Sequence, residues 1–272
     1  MQIGIHSMLV LAVIQGLTEF LPVSSSGHLV LAEALLGGRE TGAGVMFEVA
    51  VHVGTLCAIL LVYRKRVVSI CAALVSCAAR LRVPDERRDD IAYAGFIIIA
   101  SVPAAAAGIF LHDAVAGLFD SPAVTSILLV VTGCFLLLSR RRRTGGTLAW
   151  RTALIVGVAQ AIAILPGVSR SGWTITTALL LGIGFGTGAE FSFLLSVPAI
   201  IGALLLEVAR SPESMTVGSV PHIILAMAVA FLSGWIALRL LLGVLARERM
   251  HRFAYYLIPV GSIAFLYFTL VR

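Results

Sequence analysis

The amino-acid sequence predicts an all-α fold, a polytopic membrane helical bundle built from two inverted-topology repeats. Of the 272 residues, 59% are hydrophobic and only 12% are charged, and the mean hydropathy is +1.02. Soluble domains carry about 25% charged residues. The apolar runs are long and continuous, which favours spanning helices of about 20 residues over the short strands of a barrel. We therefore expect one integral membrane domain over residues 1–272.

The distribution of charge predicts the orientation of the chain in the bilayer. The net charge is +6 and the isoelectric point is near 9.6, with arginines clustered in short loops such as Arg64–Arg66 and Arg140–Arg143. Basic residues in short loops mark the cytoplasmic side and contact anionic headgroups. This pattern indicates the lipid bilayer, and no nucleic acid, as the partner of the basic residues. Both termini are then expected on the non-cytoplasmic side.

The first half of the chain begins with a broken helix. Ile3–Leu21 is apolar but carries Gln15 and Glu19, and Leu29–Leu36 is too short to span a membrane. Gly and Pro are strong punctuators of regular structure. The two segments are predicted to form a re-entrant helix hairpin that turns at Ser24–Gly27.

Three spanning helices are predicted to follow this hairpin. They are Val45–Tyr63, Ile91–Leu111 and Ala123–Ser139. Val67–Ala79 has basic clusters at both ends, so we expect it to lie on the cytoplasmic side without crossing.

The second half repeats the order of the first. Leu148–Leu165 and Trp173–Leu181 flank a Pro-Gly break and a serine-rich turn, which predicts a second re-entrant hairpin. Ala189–Val208, Ile223–Leu245 and Phe253–Val271 are the predicted spans.

An internal repeat supports this arrangement. A shift of 145 residues places Val13–His28 over Val158–Trp173. The identical pairs are Val13/Val158, Gln15/Gln160, Val23/Val168, Ser24/Ser169, Ser26/Ser171 and Gly27/Gly172. Three spans per half is an odd number, so the two halves, approximately residues 1–143 and 144–272, are predicted to have opposite orientations, with their broken helices meeting near the midplane.

The two serine-rich turns predict an anion site. The first offers Ser24, Ser25, Ser26 and Gly27, and the second offers Ser169, Arg170, Ser171 and, one turn later, Thr174. A helix that begins at such a turn presents N–H groups and a positive dipole end, and a guanidinium binds phosphate with two parallel hydrogen bonds. The alternative is that the serines only cap their helices.

Ionisable groups at membrane depth are candidates for chemistry. Glu19 shares a helix face with Gln15, and it could hold a divalent cation, orient His28, act as a base, or be a buried carboxylate satisfied by the serines. His28 follows the serines directly and is a candidate general base or general acid.

Three more polar residues are predicted to support this site. Gln160 is the repeat counterpart of Gln15 and is expected to line the cavity. Glu48 on the third helix is expected either to line the same cavity or to have a packing or indirect role. Glu190 is expected to neutralise Arg170 or Arg151, or to act at the N-terminal end of its helix.

At these motifs the chain resembles the undecaprenyl-diphosphate phosphatase family of bacterial membrane enzymes, which is named for bacitracin resistance. Gln15-x-x-x-Glu19 and the following Leu21–His28 are similar to the family's first motif, and Pro166–Thr174 matches P-G-x-S-R-S-x-x-T at every specified position. Many relatives carry a second acid in place of Gln15 and a threonine in place of Ser26.

This resemblance implies hydrolysis of undecaprenyl diphosphate to undecaprenyl phosphate and inorganic phosphate, which recycles the lipid carrier for cell-wall synthesis. It implies an isoprenoid diphosphate lipid as substrate, a bacterial cytoplasmic (inner) membrane location, and Mg²⁺ or Ca²⁺ as cofactor with Glu19 as a ligand. The expected catalytic residues are Glu19, Ser25, His28 and Arg170, with either Ser25 or a water activated by His28 as nucleophile. The active site is expected to open on the non-cytoplasmic side. The competing hypothesis is an inverted-repeat transporter or flippase for a phosphorylated lipid or anion. The sequence leaves open whether the protein is a homodimer.

Overall fold

The computed structural model describes residues 5–35, 45–79, 88–210 and 220–271, and these residues contain α-helices and no β-strand. Helices α1 to α12 are, in order, Ile5–Phe20, Ser25–Leu35, Val45–Val62, Arg64–Ala78, Arg88–Phe110, His112–Ala116, Pro122–Leu137, Trp150–Ile162, Arg170–Leu180, Phe185–Arg210, Val220–Ala246 and Ala254–Leu270.

Both predicted hairpins are present, and each second helix starts earlier than the apolar pattern indicates. The pattern places these starts at Leu29 and Trp173, whereas α2 begins at Ser25 and α9 begins at Arg170. The polar first turns have no apolar signal, but a serine immediately before each helix caps it, so the helix extends through the polar residues. The serine motifs therefore lie on helix N-termini.

The predicted spans correspond to α3, α5, α7, α10, α11 and α12. Five of them, without α3, are by themselves long and apolar enough to cross a membrane. Helix α3 passes together with α4, and the two are bent by 84° where Tyr63 joins Arg64. A bend of this size directs α4 away from the axis of α3, which agrees with the prediction that this segment does not cross.

The two halves pack crosswise. Helix α1 lies against α11, where a Cβ added at Gly16 would lie 2.6 Å from the Ala230 carbonyl oxygen. Its repeat counterpart α8 lies against α5, the counterpart of α11, where a Cβ at Gly157 would lie 2.3 Å from the Ala100 carbonyl oxygen. The last spans of the two halves, α7 and α12, pack on each other at Gly133. The first helix of each half thus packs against the second span of the other half.

The directions of α3 and α10 show that the repeats are inverted. Tyr63 follows the last residue of α3, and its ring stacks on Phe193 in the third turn of α10 at 6.1 Å between centroids. Arg66 at the start of α4 lies 3.2 Å from Glu190 in the second turn of α10. The end of α3 thus meets the beginning of its counterpart, so the two run in opposite directions. The boundary between the halves near residue 143 stays a prediction.

Close packing at Gly157 yields a stability prediction. We expect Gly157→Ala to lower the free energy of unfolding by about 1–3 kcal/mol, because the added methyl group meets backbone that cannot rotate away. The measurement is the midpoint of thermal unfolding in detergent.

The matched control is Gly95→Ala, where a Cβ meets nothing within 4 Å. Alanine favours a helix interior over glycine by up to about 1 kcal/mol, so this variant should be neutral or more stable. Equal midpoints for the two variants would show that the α5–α8 approach is not tight.

Candidate active site

The two hairpins have the same turn chemistry. In the first, the Ser24 hydroxyl accepts a hydrogen bond from Gly27 N at 3.2 Å, and in the second the Ser169 hydroxyl accepts from Gly172 N at 3.2 Å. Each capping serine also contacts the hydroxyl two residues on, which belongs to Ser26 at 3.3 Å and to Ser171 at 3.4 Å. Four of the predicted serines therefore cap α2 and α9 or contact the caps.

The tips of the hairpins touch each other. A Cβ added at Gly27 would lie 2.9 Å from the Cα atom of Gly167, so a side chain at position 27 would collide with the other hairpin. Gly167 has a φ of +94°, in the left-handed region that glycine adopts without strain. Thr132 of α7 donates to the Gly167 carbonyl at 2.9 Å and holds this turn in place. The motif glycines allow the two helix N-termini to converge.

Residues from both hairpins converge on the Glu19 carboxylate. Ser25 Oγ donates to Glu19 Oε2 at 2.7 Å, and Gln15 Nε2 donates to the same oxygen at 3.0 Å. Arg170 Nη2 donates to Glu19 Oε1 at 2.6 Å from the second hairpin. Ser25 and Arg170 are equivalent under the 145-residue shift. The repeat thus brings two different side chains from equivalent positions to one acid.

The ion pair between Glu19 and Arg170 is largely shielded from solvent. Their side chains retain 8% and 15% of their accessible surface. Removing one member of a buried pair leaves an uncompensated charge, which is strongly destabilising. Arg170 Nη1 is buried and has no hydrogen-bond partner among the described residues. One nitrogen of the guanidinium is engaged by Glu19, and this second one is available to an anion.

His28 is held by two contacts. Its Nδ1 lies 2.8 Å from the Ser24 carbonyl oxygen, and its Nε2 lies 2.8 Å from the Tyr256 hydroxyl. A carbonyl oxygen only accepts, so Nδ1 carries the proton, and in the neutral ring Nε2 accepts from the tyrosine. Neither nitrogen bonds to Glu19, so no direct hydrogen bond from Glu19 orients the imidazole here, and the expected role of Glu19 in orienting His28 stays a prediction.

Tyr256 is a site residue that sequence reasoning missed. It begins the last span, 228 residues from His28, and its ring stacks on the imidazole with 5.7 Å between centroids and 10° between planes. A tyrosine near the end of a spanning helix ordinarily marks the membrane interface. No local sequence signal marks this contact, because it depends on how α12 packs beside the first hairpin.

The equivalent contact in the second half is an apolar one between two aromatic rings. Trp173 corresponds to His28 under the 145-residue shift, and its ring stacks on Phe135 of α7 with centroids 4.1 Å apart. Each hairpin is thus covered by an aromatic ring from the last span of the other half. Only the first hairpin carries an imidazole at this position, so the symmetric scaffold holds an asymmetric site.

Several predicted supporting residues have structural partners. Thr174 is fully buried, and its hydroxyl contacts the Ser192 hydroxyl at 2.6 Å and donates to the Arg170 carbonyl at 2.7 Å. This contact fastens α9 to α10, and the phosphate-binding role of Thr174 stays a prediction. Glu48 is exposed on α3, where its carbonyl oxygen contacts His52 Nδ1 at 2.8 Å. Its cavity-lining role likewise stays a prediction.

The structure corrects the expected partner of Glu190. The sequence suggested Arg170 or Arg151, but Glu190 Oε1 lies 3.2 Å from Arg66 Nε at the far end of α3. The periodicity of α10 cannot show which distant arginine its first turns meet. Glu190 therefore belongs to a different region from the serine hairpins.

The oxygen atoms around Glu19 are the candidate ligands for a divalent cation. Within the described residues, no group of three His, Cys, Asp or Glu side chains could hold a metal ion. However, Gln15 Oε1 is buried without a hydrogen-bond partner in this part of the chain, next to the Glu19 carboxylate. Mg²⁺ is commonly held by one or two carboxylates together with substrate phosphates. One carboxylate and one amide oxygen are present, so a hard cation here would need phosphate oxygens of the substrate to complete its coordination. Gln160, the counterpart of Gln15, is also buried, and neither of its side-chain polar atoms has a partner among the described residues.

Comparison with known proteins assigns the chain to a family. The family model described as bacitracin resistance protein BacA matches residues 8–263. The undecaprenyl-diphosphatase of Syntrophotalea carbinolica is 40% identical over 265 residues, which covers 96% of this chain and 97% of the relative. The undecaprenyl-diphosphatase of Desulforapulum autotrophicum is 38% identical over 272 residues, covering 96% and 98%, and that of Treponema denticola is 35% identical over 269 residues, covering 97% and 98%. Because the matched region holds both hairpins, Glu19, Arg170 and Tyr256, the chain belongs to the bacitracin resistance protein BacA family.

Proposed function

We propose that this protein is an undecaprenyl-diphosphate phosphatase, which hydrolyses undecaprenyl diphosphate to undecaprenyl phosphate and inorganic phosphate. The observation that carries the proposal is the convergence of Ser25 and Arg170 on the buried Glu19 carboxylate. A hydroxyl next to a base, with a cation beside them, is the arrangement that nucleophilic phosphoryl transfer requires. The printed names of the relatives support this reaction. The product, undecaprenyl phosphate, would return to cell-wall synthesis as the lipid carrier. The supply of this carrier would underlie resistance to bacitracin.

The diphosphate would bind between the two helix N-termini. The first N–H groups of a helix have no partner within it, and each serine cap satisfies one of them. The remaining N–H groups of α2 and α9, the positive ends of both helix dipoles and Arg170 Nη1 would hold the phosphate oxygens. Gly27 lets the two termini approach the same phosphate.

In the reaction, Ser25 Oγ would attack the terminal phosphorus. Its proton passes to Glu19 Oε2, with which it is already hydrogen-bonded at 2.7 Å. The bond from phosphorus to the bridging oxygen breaks, and undecaprenyl phosphate leaves with that oxygen. Arg170 would offset the charge that develops on the transferred phosphoryl group. Water then attacks the phosphorus of the phosphoserine, the bond from phosphorus to Ser25 Oγ breaks, inorganic phosphate leaves, and protonated Glu19 returns its proton to Ser25 Oγ.

His28 would assist the water. Its Nε2 is the unprotonated nitrogen of the neutral ring and accepts the Tyr256 hydroxyl, so the water would pass its proton to the Tyr256 oxygen while that hydroxyl passes its own proton to Nε2. An imidazole is suited to accept a proton near neutral pH. The alternative in which this water attacks the substrate directly, without a phosphoserine, uses the same residues and is separated by the trapping experiment below.

The membrane arrangement completes the proposal. The arginine clusters would lie on the cytoplasmic side of the bacterial cytoplasmic membrane, and the site with both termini would face the opposite side. The prenyl chain of the substrate would remain in the lipid beside the hairpins.

Two copies of the protein could form a homodimer, which the mass of the purified protein in a lipid-like environment would test.

A transporter of a phosphorylated lipid is the second candidate, because inverted repeats with broken helices are also the architecture of secondary transporters. The two functions differ in one measurement. An enzyme releases inorganic phosphate from a prenyl diphosphate in detergent, where no gradient exists, and a transporter alone does not.

Ser25→Ala is expected to lower phosphate release from farnesyl diphosphate by at least about 10³-fold, because it removes the nucleophile. Rapid acid quenching of the wild type with terminally radiolabelled substrate should trap a phosphoserine at position 25. The control is Ser76→Ala on α4, whose hydroxyl only donates to the Ala72 carbonyl of its own helix. A label absent from the wild type under conditions of full turnover would favour direct attack by water.

Tyr256→Phe is expected to lower kcat about 10-fold with little change in KM, because it removes the hydroxyl that holds His28 Nε2 and leaves substrate binding intact. The neighbouring exposed Tyr255→Phe serves as the control. In the background of His28→Ala, the Tyr256 substitution should have no additional effect on kcat. Additive losses in the double variant would assign Tyr256 a role independent of His28.

A divalent cation bound by Glu19 and Gln15 Oε1 would supply positive charge to the phosphate oxygens. Chelation is expected to abolish phosphate release, and Mg²⁺ or Ca²⁺ should restore it. In Gln15→Glu the metal concentration for half-maximal activity should fall, because a carboxylate is a stronger ligand than an amide for a hard cation. Gln160→Glu, at the equivalent position of the other hairpin, should leave that concentration unchanged. Full activity in excess chelator would contradict the proposed cation.

A further inference from the structure

A second cationic region lies away from the serine hairpins. It is a cavity of about 390 Å³ at the junction of α3 and α4, and it also touches α10 and α11. The residues that line it are Val62, Tyr63, Arg64, Lys65, Arg66, Glu190 and Arg239. Four cations and one carboxylate thus surround the same space, and none of the proposed catalytic residues does.

An aromatic layer separates this cavity from the active site. Phe20 follows Glu19 directly, and its ring lies 5.9 Å from that of Phe193. Phe193 in turn stacks on Tyr63, which lines the cavity, at 6.1 Å. Phe20 and Phe193 are fully buried. The cavity is therefore a site of its own.

One side of the cavity is fixed by internal pairing. Arg66 forms an ion pair with Asp90, which is 3% exposed and also accepts a hydrogen bond from Ser69 at 2.5 Å. The Arg66 guanidinium lies 4.4 Å from the centre of the Tyr93 ring, and its Nε lies 3.2 Å from Glu190. The charge of Arg66 is compensated by these two carboxylates, so Arg66 forms a rigid wall.

The other side carries charge that nothing in the described chain compensates. Arg64, Lys65 and Arg239 have no ion pair with a described carboxylate, and Arg239 is held over the Trp235 ring at 4.2 Å. Helix α4 begins at Arg64, and Tyr63 at its N-cap position provides no side-chain cap. The positive end of the α4 dipole thus adds to the three cations. This side of the cavity therefore has an excess of exposed positive charge, which favours the binding of an anion.

The position of the cavity indicates a lipid as the source of this anion. Helix α4 leaves α3 at 84°, so the cavity lies where a spanning helix ends. Exposed apolar side chains flank it, including Val68 on α4 and Ile236 and Leu240 on α11 next to Arg239. Acyl chains can cover such residues while a headgroup phosphate reaches the cations, an arrangement typical of basic pockets between membrane helices.

We propose that this cavity binds the headgroup phosphate of an anionic phospholipid from the arginine-rich side of the membrane. The binding requires no turnover and is independent of the hydrolysis proposed above. Arg64, Lys65 and Arg239 hold the phosphate, the α4 N-terminus adds its dipole, and Arg66 with Glu190 closes the opposite wall.

The test measures lipid retention by native mass spectrometry of the delipidated protein in detergent, titrated with phosphatidylglycerol. Phosphatidylcholine and inorganic phosphate are titrated in parallel. We expect retention of phosphatidylglycerol and little of phosphatidylcholine. The double variant Arg64→Gln/Arg239→Gln should bind phosphatidylglycerol about 30-fold more weakly, since each basic residue near the membrane surface contributes a factor of about five.

The control variant is Arg140→Gln/Arg143→Gln, which removes two exposed arginines at another basic cluster and lowers the net charge equally. It should bind as the wild type does. Glu190→Gln should bind phosphatidylglycerol more tightly, because it removes a carboxylate from the cavity wall, and a gain cannot result from misfolding. Equal binding by the wild type and the Arg64/Arg239 variant would overturn the proposal. So would displacement of the lipid by inorganic phosphate at equal concentration, which would show a free-anion site.

Discussion

The buried ion pair between Glu19 and Arg170 is the interaction on which the site depends. It joins two residues 151 positions apart, one from each hairpin, at 2.6 Å. In a low-dielectric environment neither charge is stable alone, so each hairpin requires the other to be in place. The same carboxylate accepts from Ser25, so the contact that joins the two hairpins also positions the hydroxyl that we propose as the nucleophile. The same carboxylate therefore holds the two hairpins together and orders the groups that we propose to react.

Different residues at equivalent positions of the repeat explain how a symmetric scaffold makes an asymmetric site. The capping serines are the same in both turns because both helices must start there. At the positions between the caps, Ser25 corresponds to Arg170, and His28 corresponds to Trp173. One turn therefore offers a hydroxyl and an imidazole, and the other offers a fixed cation covered by an indole. Ser24 keeps its cap at φ +70°, a left-handed conformation that costs a non-glycine residue about 1 kcal/mol or more.

Sequence reasoning predicted the parts of the structure that depend on local pattern. Long apolar runs gave the spans, and the Pro and Ser-Gly breaks gave both hairpins, because these signals lie within one or two turns of the residues they affect. The start of α2 at Ser25 was missed because a capped polar first turn has no apolar signal. Tyr256 and the partner of Glu190 were missed for a different reason. Their contacts form between helices far apart in the chain, and only the packing of those helices determines which side chains meet.

The stacked rings of Phe20, Phe193 and Tyr63 have a consequence for the membrane itself. Polar and charged groups lie on both sides of these rings. The serine hairpins are on one side, and the arginine-lined cavity is on the other. A continuous file of water between them would conduct protons and ions and discharge the membrane potential. Tightly packed aromatic carbon offers an ion no substitute for its hydration shell, and desolvating it costs many kcal/mol, of order ten or more. Three rings packed in this way are suited to keep the two polar regions electrically separate across the bilayer.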